Sequence, residues 1–306
     1  MKIAVMGTGG IGGYFGGRIA EKGNADITFI ARGAHMQAMQ DKGLTLKSAL
    51  GDALISPVKV TDKPTDIGPV DVVMFAVKLY DVDSALEAIR PLIGPNTAVI
   101  SFQNGIGAED KISEIFGREH AVGGIAYAPI AIESPGVIRH EGKMASIAFG
   151  ELDGTKSDRL TRFNDVCIEA GVKTRFTSNI REALWDKFVF LASFAGITAT
   201  TRQPVDYLQQ NPLAMDLFAA ALKEAIAVAK AEGVTLAEET FDRTLKTVSG
   251  MASTAQSSML TDLQAGKPLE IKWFSGELVR RAQTHGIATP VHQAFAVAMT
   301  PFEDGQ

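Results

Sequence analysis

A chain of 306 residues is long enough for about two domains, each with its own core. With 46% hydrophobic and 21% charged residues, it is not a largely disordered chain, and a net charge of −5 argues against a nucleic-acid partner. The one cysteine, Cys167, excludes an internal disulfide and a cysteine-based metal cluster, so no metal is expected. Cys167 reads as a small buried hydrophobe in a reducing compartment. The first strand begins at residue 2, leaving no room for a signal peptide. The longest apolar run, residues 188–199, is too short to span a bilayer. A cytoplasmic protein with no membrane partner is the expectation.

The chain opens on an apolar run, Lys2-Ile-Ala-Val-Met6, that leads into Gly7-Thr8-Gly9-Gly10-Ile11-Gly12, and residues 14–23 read as a helix. Strand, glycine turn and helix in that order are the context in which G-x-G-x-x-G points to a dinucleotide. Gly7 allows the tight turn, Gly9 lets the backbone approach a pyrophosphate, and Gly12 lets the helix pack on the strand. The anion would sit on the first free N–H groups and the positive end of the helix dipole. Without a ligand the same residues would be no more than a glycine-rich turn.

Residues 26–31 read as the second strand, ending in Ala31-Arg32-Gly33. No carboxylate stands where NAD would need one for its ribose 2′-OH, whereas an arginine there suits a 2′-phosphate and favours NADP. Arg32 could also be an exposed residue on a turn. Residues 44–60, around Gly51-Asp52, look like a hairpin or two short strands. Residues 70–77 form a continuous apolar run, as in a buried parallel strand, and end in Lys78 at the sheet edge where ligands bind. Lys78 is either a solvated side chain or a second positive charge for the phosphate. Residues 97–102 are another strand, followed by Gln103-Asn104-Gly105-Ile106-Gly107. Asn104 with Gly105 could simply make a turn. Its amide could instead bridge the nicotinamide ribose and a substrate.

Residues 121–132 and 136–150 read as strands about a Pro-Gly turn, then 156–170 as a helix and 172–176 as a last strand. From Ser178 onward strand signals stop and helices follow one another. The expected domains are therefore residues 1–177 and residues 178–306. Residues 179–200 read as the central helix of the second domain, apolar almost all round after Leu184. Lys187 is out of place on it, because burying an unpaired ammonium is costly. Either it snorkels to the surface, or it is a general acid placed over the nicotinamide with its pKa tuned by burial. Ser257, Ser258 and Met259 lie on a helix before Gly266, and Glu270 opens the next helix after Pro268. An acid in a first helical turn is favoured by the dipole alone; the other reading is a hydrogen bond to a substrate or ribose hydroxyl.

These residues together resemble the ketopantoate reductase (2-dehydropantoate 2-reductase) family, essentially end to end. The resemblance is carried by Gly7–Gly12, Lys78, Gln103-Asn-Gly105, Ile180-Arg-Glu-Ala-Leu-Trp-Asp-Lys187, Ser257-Ser-Met-Leu260, and Glu270 with Arg280-Arg-Ala-Gln-Thr-His-Gly286. It implies an α/β Rossmann N-terminal domain carrying NADPH, and an all-α C-terminal domain of the 6-phosphogluconate-dehydrogenase-like kind that closes over it. The implied reaction is the NADPH-dependent reduction of 2-dehydropantoate (ketopantoate) to pantoate, as in pantothenate biosynthesis. On that resemblance Lys187 donates the proton to the carbonyl oxygen, and Asn104 contacts cofactor and substrate. Ser258 holds the substrate carboxylate, and Glu270 binds a hydroxyl of substrate or cofactor. Gly7, Thr8, Gly9, Gly10, Ile11 and Gly12 line the pyrophosphate, while Arg32 and Lys78 grip the 2′-phosphate of NADP.

One departure stands out. The family usually has asparagines four and eight residues after the catalytic lysine; here Leu191 and Ala195 occupy those positions, which share its helix face. Ser193 points elsewhere, and Thr198 could substitute only in part. A site without those partners should discriminate between substrates differently. This keeps a rival in view, the same chemistry on a more apolar 2-oxo acid or ketone. A second rival is a non-catalytic NADP sensor, which would need neither Lys187 nor Glu270. The partners expected are a small-molecule 2-oxo acid and no nucleic acid or membrane, with a homodimer left open.

Overall fold

The computed structural model describes residues 1–305, which fall into two units. The first comprises Met1–Gln103 and Ala108–Ile180; the second comprises Asn104–Gly107 and everything from Arg181 onward. The first unit alternates strand and helix. In chain order it holds β1 (Lys2–Met6), α1 (Gly10–Lys22), β2 (Asp26–Ile30), α2 (Gly33–Lys42), β3 (Leu44–Ser48), β4 (Ala53–Ile55), β5 (Val60–Thr61) and β6 (Val72–Phe75). There follow α3 (Val82–Ile89), β7 (Ala98–Ser101), α4 (Ala108–Phe116), β8 (Ala121–Tyr127), β9 (Ile130–Ser134), β10 (Val137–His140), β11 (Ser146–Glu151), α5 (Asp158–Glu169) and β12 (Lys173–Phe176).

Eight strands form one sheet in the order β12-β11-β8-β7-β6-β1-β2-β5. All its pairs are parallel except β11 with β8. Burial on both faces explains why residues 3–6 of β1, 72–75 of β6 and 98–100 of β7 are unbroken apolar runs. The chain leaves β1 toward β2 on one side, while β6 lies against β1 on the other. The order therefore reverses at β1, which places the ligand crevice of such a sheet at the carboxyl ends of β1 and β6. This is the α/β Rossmann domain expected from the opening motif.

A second sheet, β4-β3-β10-β9, was only half foreseen. The β3–β4 hairpin matches the reading of residues 44–60, while β5 leaves it to edge the large sheet beside β2. The runs 121–132 and 136–150, each read as one strand, are each cut in two. β8 and β11 pair in the large sheet, while β9 and β10 pair in the small one. Pro129, between β8 and β9, has no N–H for a ladder, and Gly142, between β10 and β11, takes a positive φ of 69°.

The two sheets explain the glycines of α1 that the dinucleotide motif does not use. A Cβ at Gly16 would meet Val5 Cγ2 at 2.8 Å and Phe29 Cε1 at 3.0 Å, in the large sheet. One at Gly13 or Gly17 would meet Ile138 or Leu46, in the small sheet, at about 3 Å. The pairs Gly12/Gly16 and Gly13/Gly17, each four residues apart, thus bare two faces of the helix so that a sheet can lie close against each. Gly16→Ala should lower stability by roughly 1–3 kcal/mol through overpacking, read as a drop in Tm. An unchanged Tm would mean that the helix can shift to make room.

The second unit is helical: α6 (Ile180–Thr201), α7 (Val205–Gln210), α8 (Pro212–Ala231), α9 (Thr240–Ser249), α10 (Ser258–Gln264), α11 (Ser275–Thr284) and α12 (Pro290–Met299). The ends are specified locally. Asn211 caps α8, its Oδ1 accepting from the N–H groups of Leu213 and Ala214, with Pro212 at the first helical position. The first N–H groups of α12 donate instead to Glu224 of α8, from Val291 at 2.9 Å and His292 at 3.0 Å. The His292 ring accepts from the Ser275 hydroxyl and donates to the Ala221 carbonyl, and burial pushes its pKa down to about 4. It is therefore a neutral crosslink among α8, α11 and α12. Phe188, Val189, Ala192 and Phe194 of α6 are buried, as the apolar run predicts. Gly196 on the same helix leaves the space that the Phe295 ring of α12 fills.

Cys167 is buried in the core of the first unit, and burial pushes its thiol up to about 12, so it is an inert packing residue. Among the described residues, no helix is long and apolar enough to cross a membrane.

Candidate active site

Parallel register brings the glycine motif and the two basic residues to one sheet edge. Met6 pairs with Ile30 and with Phe75, and Phe75 pairs with Ser101. The segments that carry Gly7–Gly12, Arg32, Lys78 and Gln103 therefore all leave the sheet at its carboxyl end. Thr8 is buried and ties the glycine turn to β2, its hydroxyl donating to Ile30 O at 2.9 Å. Gln103 donates from Nε2 to Val77 O at 3.0 Å and so joins the ends of β6 and β7.

The glycine turn has the form of an anion cradle. Gly7 has a φ of +92°, and a Cβ there would strike the Ala76–Val77 backbone at 2.8 Å. Gly10 is pressed against Ile130 O and Gly12 against Gly7 O, so neither could carry a side chain. Gly9 differs. It is the N-cap of α1, has no side-chain cap, and a Cβ on it would meet nothing within 4 Å. Gly9 thus has open space beside it at the start of a helix that has no acid in its first turn. These residues fit the pyrophosphate of a dinucleotide. Arg32, exposed, is the N-cap of α2, and Lys78, also exposed, precedes a 3₁₀ turn over Leu79–Asp81.

The second unit holds the polar pair expected of a catalytic centre. Lys187 Nζ on α6 donates to Asn104 Oδ1 at 2.8 Å. Burial pushes the lysine pKa down from 10.5 to about 8. An ammonium so tuned is largely protonated at neutral pH and gives up its proton readily. With Oδ1 engaged, Asn104 has its amide N–H groups to offer to a carbonyl or hydroxyl.

Glu270 is buried and stands before a 3₁₀ turn over Ile271–Trp273, its carbonyl accepting from the N–H groups of Trp273 and Phe274. The helix it was expected to open begins only at Ser275, because the chain takes this 3₁₀ turn first. Ser258 is exposed in the first turn of α10, and its neighbour Ser257 is the buried serine. Ser257 caps α10, accepting from Leu260 N at 3.1 Å, and shares a 2.7 Å hydrogen bond with Thr198, whose hydroxyl donates to Phe194 O. Thr198 is thus committed to joining α6 and α10. Ser193 donates to Val189 O within α6. Leu191 is half-buried and Ala195 buried, so the face after Lys187 is apolar.

The profile of the ketopantoate reductase PanE/ApbA family matches residues 3–154, and its C-terminal counterpart matches residues 179–303. The chain belongs to this family. A 2-dehydropantoate 2-reductase of Mesorhizobium japonicum is 32% identical over 89% of this chain and 88% of its own. An uncharacterized oxidoreductase of Bacillus subtilis, YkpB, is 28% identical over 99% of each chain. Among solved structures, a 2-dehydropantoate 2-reductase from Geobacter metallireducens superposes with a TM-score of 0.91 at 30% identity, over 98% of this chain and 99% of the other. Membership of the ketopantoate reductase family makes the chain an oxidoreductase acting on a small molecule, in a family whose reductases use a pyridine nucleotide.

Two further residues, one in each unit, are not evident as functional from the sequence. In the sequence Gln103 stands out only as the neighbour of Asn104. Arg281 reads in the sequence as one residue of a polar helical stretch, yet it is buried and donates to Ile106 O at 3.0 Å. A signal for it was present, since Glu277 and Arg281 stand four apart on one helix face.

Proposed function

We propose that this protein reduces a 2-oxo acid with NADPH, that the acid is 2-dehydropantoate, and that Lys187 is the proton donor. The observation that supports this most is the Lys187–Asn104 hydrogen bond, with a burial-lowered lysine, in a chain of the ketopantoate reductase family. Bound NADPH supplies the hydride. Gly7, Thr8, Gly9, Gly10, Ile11 and Gly12 would receive its pyrophosphate, and Arg32 and Lys78 its 2′-phosphate, since no acid follows β2. Lys187 gives its proton to the carbonyl oxygen as negative charge develops there, and Asn104 orients both the ammonium and the substrate. By family resemblance Ser258 binds the substrate carboxylate, and Glu270 binds a hydroxyl of substrate or cofactor. The domains we assign are residues 1–177 for the cofactor and 178–306 for substrate and catalysis. A lone buried thiol fits work in the cytoplasm.

A specific observation favours a second reading. With Leu191 and Ala195 on the face after Lys187, and Thr198 bonded to Ser257, a more apolar 2-oxo acid or ketone would leave fewer polar groups to be matched. The test is NADPH oxidation with ketopantoate against a panel of other 2-oxo acids. Highest kcat/KM on ketopantoate supports the first reading, and a better apolar acid supports the second. Tight NADPH binding with no turnover on any of them would overturn both in favour of a sensor.

A further inference from the structure

The segment Asn104–Gly107 carries the acceptor for Lys187, yet it lies in neither a helix nor a strand. Two of its four residues are glycines, and Gly105 has a φ of +141°. Such a segment does not hold its own shape. Its backbone is gripped by a residue 175 positions away: Arg281 Nη2 donates to Ile106 O at 3.0 Å. The guanidinium is itself aimed from two other sides. Nε donates to Glu277 Oε1 at 2.7 Å and Nη1 to Glu232 Oε2 at 2.6 Å. Those carboxylates are also held, Glu277 by Arg280 and Glu232 by His285. The side chains of Arg281, Glu277 and Glu232 are 11%, 16% and 17% exposed, so solvent does little to loosen the array.

Packing alone does not call for this arrangement, because a buried ion network seldom stabilises more than apolar residues of the same volume. What the planar fork adds is direction. We infer that Arg281 is a positioning residue for the reduction: by fixing Ile106 O it holds Asn104 at hydrogen-bonding distance from Lys187. This rests on the assignment of Lys187 as proton donor. Arg281 touches neither reacting group; it acts through Asn104.

The test is a double-mutant cycle of Arg281→Lys with Asn104→Ala, in variants shown by thermal melting to be folded. A lysine keeps the charge but cannot reach two carboxylates and a carbonyl in fixed directions. Alone, Arg281→Lys should lower kcat by roughly 10- to 100-fold, the cost of a misplacement of about 1 Å, with a much smaller change in the Kd for NADPH. The falling alkaline limb of kcat should also move to lower pH, because loosening an acceptor from the ammonium disfavours its charged form. In the Asn104→Ala background, Arg281→Lys should cost little more. Glu277→Gln, a milder change, should show a smaller loss with the same lack of additivity, and it decides the matter if Arg281→Lys does not fold. An undiminished kcat in the folded single variant, or an equal loss in both backgrounds, would overturn the role. Lys187→Ala run in parallel separates the two levels: if that variant keeps its kcat, the proton-donor assignment fails and this role fails with it.

Discussion

Lys187→Ala should lower kcat for 2-oxo acid reduction by about 10²–10⁴-fold while leaving NADPH affinity nearly unchanged. A proton donor acts only as the carbonyl oxygen gains charge, so its removal is felt in kcat more than in binding. The residue has the chemistry for this. It hydrogen-bonds Asn104, and burial holds its pKa at about 8. Reduction needs the protonated amine, so kcat should fall as pH rises through about 8; the reverse oxidation needs the free amine and should rise over the same interval. Both limbs should vanish in the alanine variant. Stopped-flow or steady-state rates between pH 6 and about 10 would decide. A variant that keeps most of its kcat, or a wild-type profile flat through that interval, would remove Lys187 from the chemistry.

The second large effect concerns which nicotinamide cofactor is used. Arg32→Ala should raise the KM for NADPH by about 10- to 100-fold, the size expected when a charged hydrogen bond to phosphate is lost. The KM for NADH should hardly move. Arg32 follows β2 at the sheet edge from which the glycine turn also emerges, and it is exposed, so a ligand can reach it without repacking. Equal changes in both KM values would mean that Arg32 does not read the 2′-phosphate. The cofactor preference would then have to be sought elsewhere, with Lys78 the next residue to replace.

What could be read in advance was what neighbours in sequence decide. The strand, turn and helix of residues 2–22, the apolar β6 and β7, and the long apolar α6 each follow from local pattern. The reasons for Gly13, Gly16 and Gly17 could not, because they lie in Ile138, Val5 and Leu46, which come from two different sheets. The split of residues 121–150 between those sheets was missed for the same reason: each half alternates acceptably as a strand, and only the partner tells which sheet it joins. At the candidate site, Lys187 was conspicuous as a charge on an apolar helix. Arg281 was inconspicuous, since an arginine beside another arginine on a polar helix looks like solvated surface until Ile106 is brought against it.

The lowered pKa of Lys187 also bears on how firmly the chain holds together. In the unfolded chain this amine takes up its proton below about 10.5, while in the folded one it does so only below about 8. Between those values the unfolded state binds the extra proton, so the lysine's contribution to stability improves as pH rises across that interval. Below it the folded protein carries the full penalty of a desolvated ammonium, on the order of 3 kcal/mol. If Lys187 is the proton donor we propose, the residue sets durability against turnover. The acidity that keeps the amine charged and ready to donate is the acidity at which it most weakens the fold, and alkali that relieves the fold takes away its proton.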